Sequence, residues 1–292
     1  MPSRTAAALL LSLGASSALA RRLQCVNDEV IAAEAPVISL PAFVKRQDPK
    51  SVDVYFHVTS TVAHESRITG DIVDAQFEVL RSTFSRHGFA LSLADVSRVV
   101  DDALGGGFYD EGFGVPDYDG YMAWRAATRR GGYDALNVYF FTDLPAGFGG
   151  VCNVAAPGVE EGSDGFWQDG CWVNADTMPG MPTRGTPAEG EEPPPAPAGH
   201  VAVHEVGHWF GLYHTFRGGY CDDVNDFVDD TPAQAGATQG CPAERDSCPD
   251  SPGVDPIHNF MDYSDDSCTS EFTPGQEERM HRAFDFYRRK QS

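Results

Sequence analysis

Residues 204–214 read His204-Glu205-Val206-Gly207-His208-Trp209-Phe210-Gly211-Leu212-Tyr213-His214. On an α-helix, His204 and His208 stand about 40° apart around the axis and about 6 Å apart along it, so both imidazoles can reach one ion. Glu205 is turned about 100° from His204 and lies beside that ion rather than on it. Gly211 can take a backbone conformation closed to other residues, so the chain can leave the helix sharply and deliver His214 as a third ligand. Three neutral nitrogens leave a fourth position for water, the mark of a catalytic rather than a structural zinc site. Such an ion activates water and polarises a carbonyl, and Glu205 is placed to take the proton as general base. His200 also precedes His204 by four residues, but adding it would spread the ligands over about 12 Å of helix. It is therefore read as structural or solvent-exposed. His57, His64, His87, His258 and His281 are scattered singles, read as surface or satisfied core.

The rest of the chain bounds this chemistry. Of 292 residues, 41% are hydrophobic and 11% aromatic, enough for a substantial core. The 43 acidic against 21 basic side chains give a formal charge of −22, which disfavours nucleic acid and anionic lipid and favours cations or basic peptides. Residues 1–20 carry Arg4, an apolar run from Ala6 to Leu13 and the small pattern Ala18-Leu19-Ala20, in the order of a secretory signal peptide. A secreted, extracellular protein is expected, with no membrane span. Residues 21–46 end in Lys45-Arg46 and read as a prosegment or N-terminal arm, leaving 47–292 as the catalytic domain.

Export makes disulfides plausible for six of the seven cysteines, at 25, 152, 171, 221, 241, 248 and 268. Cys152 and Cys171 flank a glycine-rich loop and form a natural pair, which leaves Cys25 as the odd residue; spacing alone does not fix the remaining connectivity. Strand signals lie at Val52–Val58, Phe89–Val100, Ala135–Thr142 and Gly170–Ala175, and helical patterns at Gly70–His87 and Tyr121–Arg130. Their alternation predicts a mixed sheet with helices packed on it. Proline excludes regular structure from 179–197, and Cys221–Phe272 has little period of either kind. The chain closes with a helix whose start is marked by Thr273, Pro274 and Gln276, and whose end is basic at Arg288, Arg289 and Lys290.

The motif from His204 to His214, followed by Asn259-Phe260-Met261-Asp262-Tyr263, resembles the metzincin clan of zinc endopeptidases. The run continuing through Thr215-Phe216, the later Asp229-Asp230-Thr231-Pro232 and the cysteine spacing are similar to its pappalysin family, in the form of secreted fungal metalloproteases. The resemblance covers roughly residues 50–290. It implies an α+β fold: a mixed twisted sheet with helices above a zinc cleft, an irregular disulfide-stapled lower half and a C-terminal helix. It implies zinc at His204, His208 and His214, Glu205 as general base, Met261 as a packed methionine turn, and Tyr263 as a hydrogen-bond donor to a developing oxyanion or, failing that, a core tyrosine. It pairs Cys221 with Cys248 and Cys241 with Cys268.

Relatives of this kind also suggest calcium in the segment 222–271, where thirteen acidic side chains face one basic residue, Arg245. Asp226, Asp229 and Thr231 are the candidate ligands, against a solvated acidic face. Cys25 is a candidate latency ligand to zinc, although Leu23-Gln24-Cys25-Val26 lacks the glycine expected to follow such a cysteine. Protein or peptide substrates are implied, with basic ones favoured, and a monomer is expected. The rival class is a catalytically silent secreted binding module that keeps zinc for structure; Glu205 beside an open position argues against it.

Overall fold

The computed structural model describes the backbone at 24–25 and residues 49–108, 115–145, 147–182, 196–221 and 226–289. The signal segment, the Lys45-Arg46 pair and the side chain of Cys25 lie outside the described residues. Among the described residues, six strands form one sheet: β1 (Gln24–Cys25), β2 (Lys50–Ser60), β3 (Phe89–Val100), β4 (Leu136–Phe141), β5 (Phe148–Cys152) and β6 (Cys171–Asn174). Their order is β1-β5-β6-β4-β2-β3, parallel throughout except for the antiparallel pair β5–β6.

β4 lies between β2 and β6, and all six of its residues are buried. That explains why its sequence is continuously apolar rather than alternating. On one face Val138 and Phe140 join Phe56, Val58, Leu80 and Phe84 in the main core. On the other, Tyr139 and Phe141 pack with Tyr121 and Trp172. Helix α1 (Gly70–Ser85) lays Val73, Leu80 and Phe84 into the main core, as its stripe predicts, and starts where the Thr69 side chain accepts the N–H of Ile72. Two short helices, α2 (Asp102–Gly105) and α4 (Asp164–Gln168), flank the longer α3 (Tyr118–Thr128) in sequence.

Helix α5 (His200–Trp209) carries the histidine motif and is buried from Ala202 to Trp209. Its first turn is capped from a distance: Asp266 Oδ2 accepts the N–H groups of Ala198, Gly199 and His200. Below it, Cys221 bonds to Cys248 and Cys241 to Cys268, holding a segment with little regular structure, while Cys152 bonds to Cys171 across the β5–β6 pair. The final helix α6 (Pro274–Ala283) opens with the expected capping box: Thr273 Oγ1 accepts the Gln276 N–H, and Gln276 accepts the Thr273 N–H. One expectation is corrected here. The regular helix ends at Ala283 and passes into a π-turn at Phe284–Arg288, so Arg288 lies buried beyond its last turn rather than forming its basic end.

Candidate active site

Helix α5 presents His204 and His208 on one face, and the chain then turns at Gly211, whose φ is +98°. Leu212 N–H returns to Gly207 O at 3.0 Å and Gly211 N–H to His208 O at 2.8 Å, the two bonds of a Schellman turn. That turn brings His214 back, so that the Nε2 atoms of His204, His208 and His214 form a triangle with every edge 3.1 Å. His204 Nδ1–H donates to Phe260 O at 2.6 Å and His208 Nδ1–H to Leu212 O at 2.9 Å. With those protons committed, the Nε2 lone pairs converge, an arrangement that is repulsive unless a cation sits among them. A tetrahedral site with metal–nitrogen bonds of about 2.0–2.1 Å has N···N edges of about 3.3 Å, so the donor set fits zinc. Burial, reinforced by His204, holds His214 well below its ordinary pKa, so it offers a neutral nitrogen. Among the described residues, these three histidines are the only cluster of metal-binding side chains converging on one point. His200 is not part of it.

Glu205 is buried on the same helix, against the edge of β5. A Cβ on Gly150 would lie 2.5 Å from Glu205 Oε1, so only glycine lets the strand approach the carboxylate this closely. Met261 is buried beneath the helix, where a Cβ on Gly207 would come within 2.6 Å of its sulfur. Its turn is fixed by Met261 N–H to Asn259 Oδ1 at 2.9 Å, and Asn259 pairs reciprocally with Gln276 of α6. Tyr263 places its ring edge-on to His214 at 4.9 Å and tilted to His204 at 5.6 Å.

A cleft beside these groups is lined by Gly149, Glu205, Tyr263, Asp266, Thr269 and His200. His200 bonds Thr269 Oγ1 through Nδ1 at 3.0 Å. Its place in the cleft was missed because the spacing argument asked only whether it could ligate. Asp266 and Gly150 were missed as well. Burial raises the Asp266 pKa, opposed by His200 and by the three backbone N–H groups it accepts.

Asp226 and Thr231 are together, the hydroxyl of Thr231 lying 2.8 Å from both Asp226 oxygens, and Asp229 lines the same surface cavity. Burial pushes the Asp226 carboxyl up to about 7. Cys25 pairs through its backbone with Gly150 of β5, parallel to it.

The profile of the Peptidase_M43 family, described as pregnancy-associated plasma protein-A, matches residues 190–285. An extracellular metalloprotease of Pyricularia oryzae is 40% identical over 258 residues, covering 88% of this chain and 82% of that protein. One from Podospora anserina is 42% identical over 248 residues, covering 83% and 76%. Mature mirolysin of Tannerella forsythia, solved in complex with a cleaved peptide, superimposes with a TM-score of 0.61 at 24% identity, covering 81% of this chain and 92% of that one, and shows the shared fold. Together with the histidine triangle, these similarities establish that the chain belongs to the pregnancy-associated plasma protein-A family of metalloendopeptidases, the pappalysins.

Proposed function

We propose that this chain is a secreted zinc endopeptidase in which Glu205 is the general base. The observation that carries the proposal is the convergence of three Nε2 atoms beside a buried glutamate at the edge of an open cleft. His204, His208 and His214 would hold the ion, which when bound supplies Lewis acidity toward water and toward the scissile carbonyl. Glu205 takes the proton of the attacking water and returns it to the leaving amine. The Tyr263 phenol donates to the developing oxyanion. Removing a general base typically lowers the rate by about 10²–10⁴-fold. Glu205→Gln is therefore expected to keep fold and metal content while losing nearly all casein digestion; digestion at the wild-type rate contradicts the assignment. Tyr263→Phe should lower kcat more than it raises KM, and the reverse pattern removes it from the mechanism. No casein digestion by the zinc-loaded chain would favour the silent binding module instead, and digestion that persists in a chelator would contradict both readings.

Secretion is supported by the signal-like residues 1–20 and by relatives that are extracellular by name; no described helix is long and apolar enough to cross a membrane. Intact export after deletion of residues 1–20 would refute it. Processing near Lys45-Arg46 fits the start of β2 at Lys50, and N-terminal sequencing of the mature protein tests it. Latency through Cys25 is supported by the pairing of its backbone opposite Gly150, the residue that abuts Glu205. A Cys25→Ser precursor that stays fully latent rules it out. A preference for basic residues near the scissile bond rests on Glu205, Asp262 and Asp266 around the cleft, and a cleavage profile without Lys or Arg enrichment disposes of it. Calcium at Asp226, Asp229 and Thr231 predicts thermal stabilisation by calcium that Asp226→Asn abolishes; equal stabilisation of both proteins excludes the site.

A further inference from the structure

The Schellman turn that separates His208 from His214 satisfies the carbonyls of Gly207 and His208 but leaves those of Trp209 and Gly211 without a bond inside the turn. Both are taken by guanidinium groups from the C-terminal segment. Arg279 of α6 donates from Nε to Gly211 O at 2.7 Å, and Arg288 of the π-turn donates from Nε to Trp209 O at 2.9 Å. Each arginine is itself held. Arg279 lies 4.8 Å over the ring of Tyr213, the residue before His214, and 5.6 Å over Phe227. Arg288 lies 3.7 Å over Trp209, while its Nη1 donates to Asp169 Oδ1 at 3.0 Å. The other Asp169 oxygen accepts Trp209 Nε1–H at 3.2 Å. The α6 backbone also comes close to the turn, since a Cβ on Gly211 would meet that of Ala283 at 2.6 Å.

These contacts lead directly to the ligands. Arg279 grips the Gly211–Leu212 peptide group, and the next carbonyl, Leu212 O, is the one that receives His208 Nδ1–H and so fixes the tautomer and orientation of that ring. Two residues further on, the same turn delivers His214. Positive charge at these carbonyls also complements the negative end of α5. We infer that Arg279 and Arg288 are positioning residues of the metal centre, a clamp from the C-terminal segment that holds the turn between the second and third ligands. The inference rests on the zinc-binding reading proposed above. Groups that orient metal ligands from behind typically contribute about 10–100-fold in metal affinity.

The test compares zinc affinity, by competition with a chromophoric chelator, in the full secreted chain and in Arg279→Met. Methionine keeps a stem against Tyr213 and Phe227 but removes the donor. The expected result is a rise of about tenfold or more in the zinc dissociation constant, with a shifted visible absorption spectrum of the cobalt-substituted protein. Met280→Ala, which opens the core one residue away, controls for general loosening of α6. Zinc affinity within twofold of wild type in Arg279→Met overturns the inference, as does an equal loss in Met280→Ala at matched stability of the metal-free proteins. If Arg279→Met does not fold, Arg288→Lys gives the same readout, because it keeps charge beside Asp169 while withdrawing the Nε donor from Trp209 O. A wild-type chain that binds no zinc refutes the functional reading itself and is told apart because variants are scored only against zinc-loaded wild type.

Discussion

Gly150→Ala isolates the placement of Glu205 from its chemistry. The new Cβ would lie 2.5 Å from Oε1, 2.6 Å from Cγ and 2.7 Å from Cδ of Glu205, whereas ordinary contact begins near 3.4 Å. Strand and carboxylate must therefore separate by about an ångström. The strand is poorly able to move: Gly150 is in register with Val173 of β6, and two residues later Cys152 is bonded to Cys171. The side chain of Glu205 has to yield instead. A misplacement of about 1 Å in a reacting group can lower the rate by about 10²-fold, equivalent to about 2.7 kcal/mol of transition-state stabilisation. We expect kcat/KM on a fluorogenic peptide to fall by about 100-fold while zinc content stays stoichiometric and the circular dichroism spectrum is unchanged. Activity within threefold of wild type in a folded, zinc-loaded Gly150→Ala protein would show that the carboxylate need not sit where the structure has it. Loss of zinc in proportion to activity would show instead that the cleft had collapsed.

Gly207→Ala provides the contrast: its Cβ meets the Met261 sulfur at 2.6 Å, the flexible end of a side chain that can repack, so kcat/KM should fall by less than about tenfold. A larger loss than in Gly150→Ala reverses the ranking and the argument behind it. His57 is a separate, acid-sensitive element of the core. Burial, opposed by its bond to Asn137 and assisted by Arg125 and Arg130, pushes its pKa down to about 4. Between about pH 6.5 and 4 the unfolded chain binds this proton and the folded one does not, so the contribution of His57 to stability is present above 6.5 and lost as pH falls, by about 3 kcal/mol. Asp226, raised to about 7, slopes the other way over much of that window, losing stability as pH rises. The measurement is therefore the difference in unfolding free energy between wild type and His57→Gln from pH 7 to 4. A constant difference contradicts the assignment.

The parts of this fold that were legible in the sequence are those decided locally. β4 declares itself by β-branched and aromatic content, α1 by its apolar stripe, and α6 by a capping box whose three residues all act as their types suggest. β5 could not be found the same way. Phe148-Gly149-Gly150-Val151-Cys152 has little strand propensity, and its extended form is imposed by pairing with β6 and by the bridge to Cys171. Arg288 looked like a compensating charge at a helix end because nothing near it in sequence announces Asp169, 119 residues earlier. His200 reads as structural or solvent-exposed because ligand spacing excludes it, and its bond to Thr269 agrees; that it also lines a cleft depends on what another segment places opposite it, here Thr269 and Asp266.

The site itself shows how much a glycine conceals in a sequence. Gly211 could be assigned a purpose from the motif alone, because a turn with positive φ was needed to bring His214 round. Gly207 and Gly150 have ordinary backbone needs, and their requirement is the absence of a side chain: one admits Met261 under the helix, the other admits β5 against Glu205. Gly211 carries both kinds of constraint, since α6 passes so close that a Cβ there would strike Ala283. Three surfaces thus close on one helix from below, from the rim and from the C-terminal end. The histidine spacing specifies which atoms can converge; these approaches decide whether they do. A substitution that leaves all three histidines and Glu205 in place can therefore still disable the centre, provided it adds volume where the touching group cannot repack, as at Gly150 and Gly211 but not at Gly207.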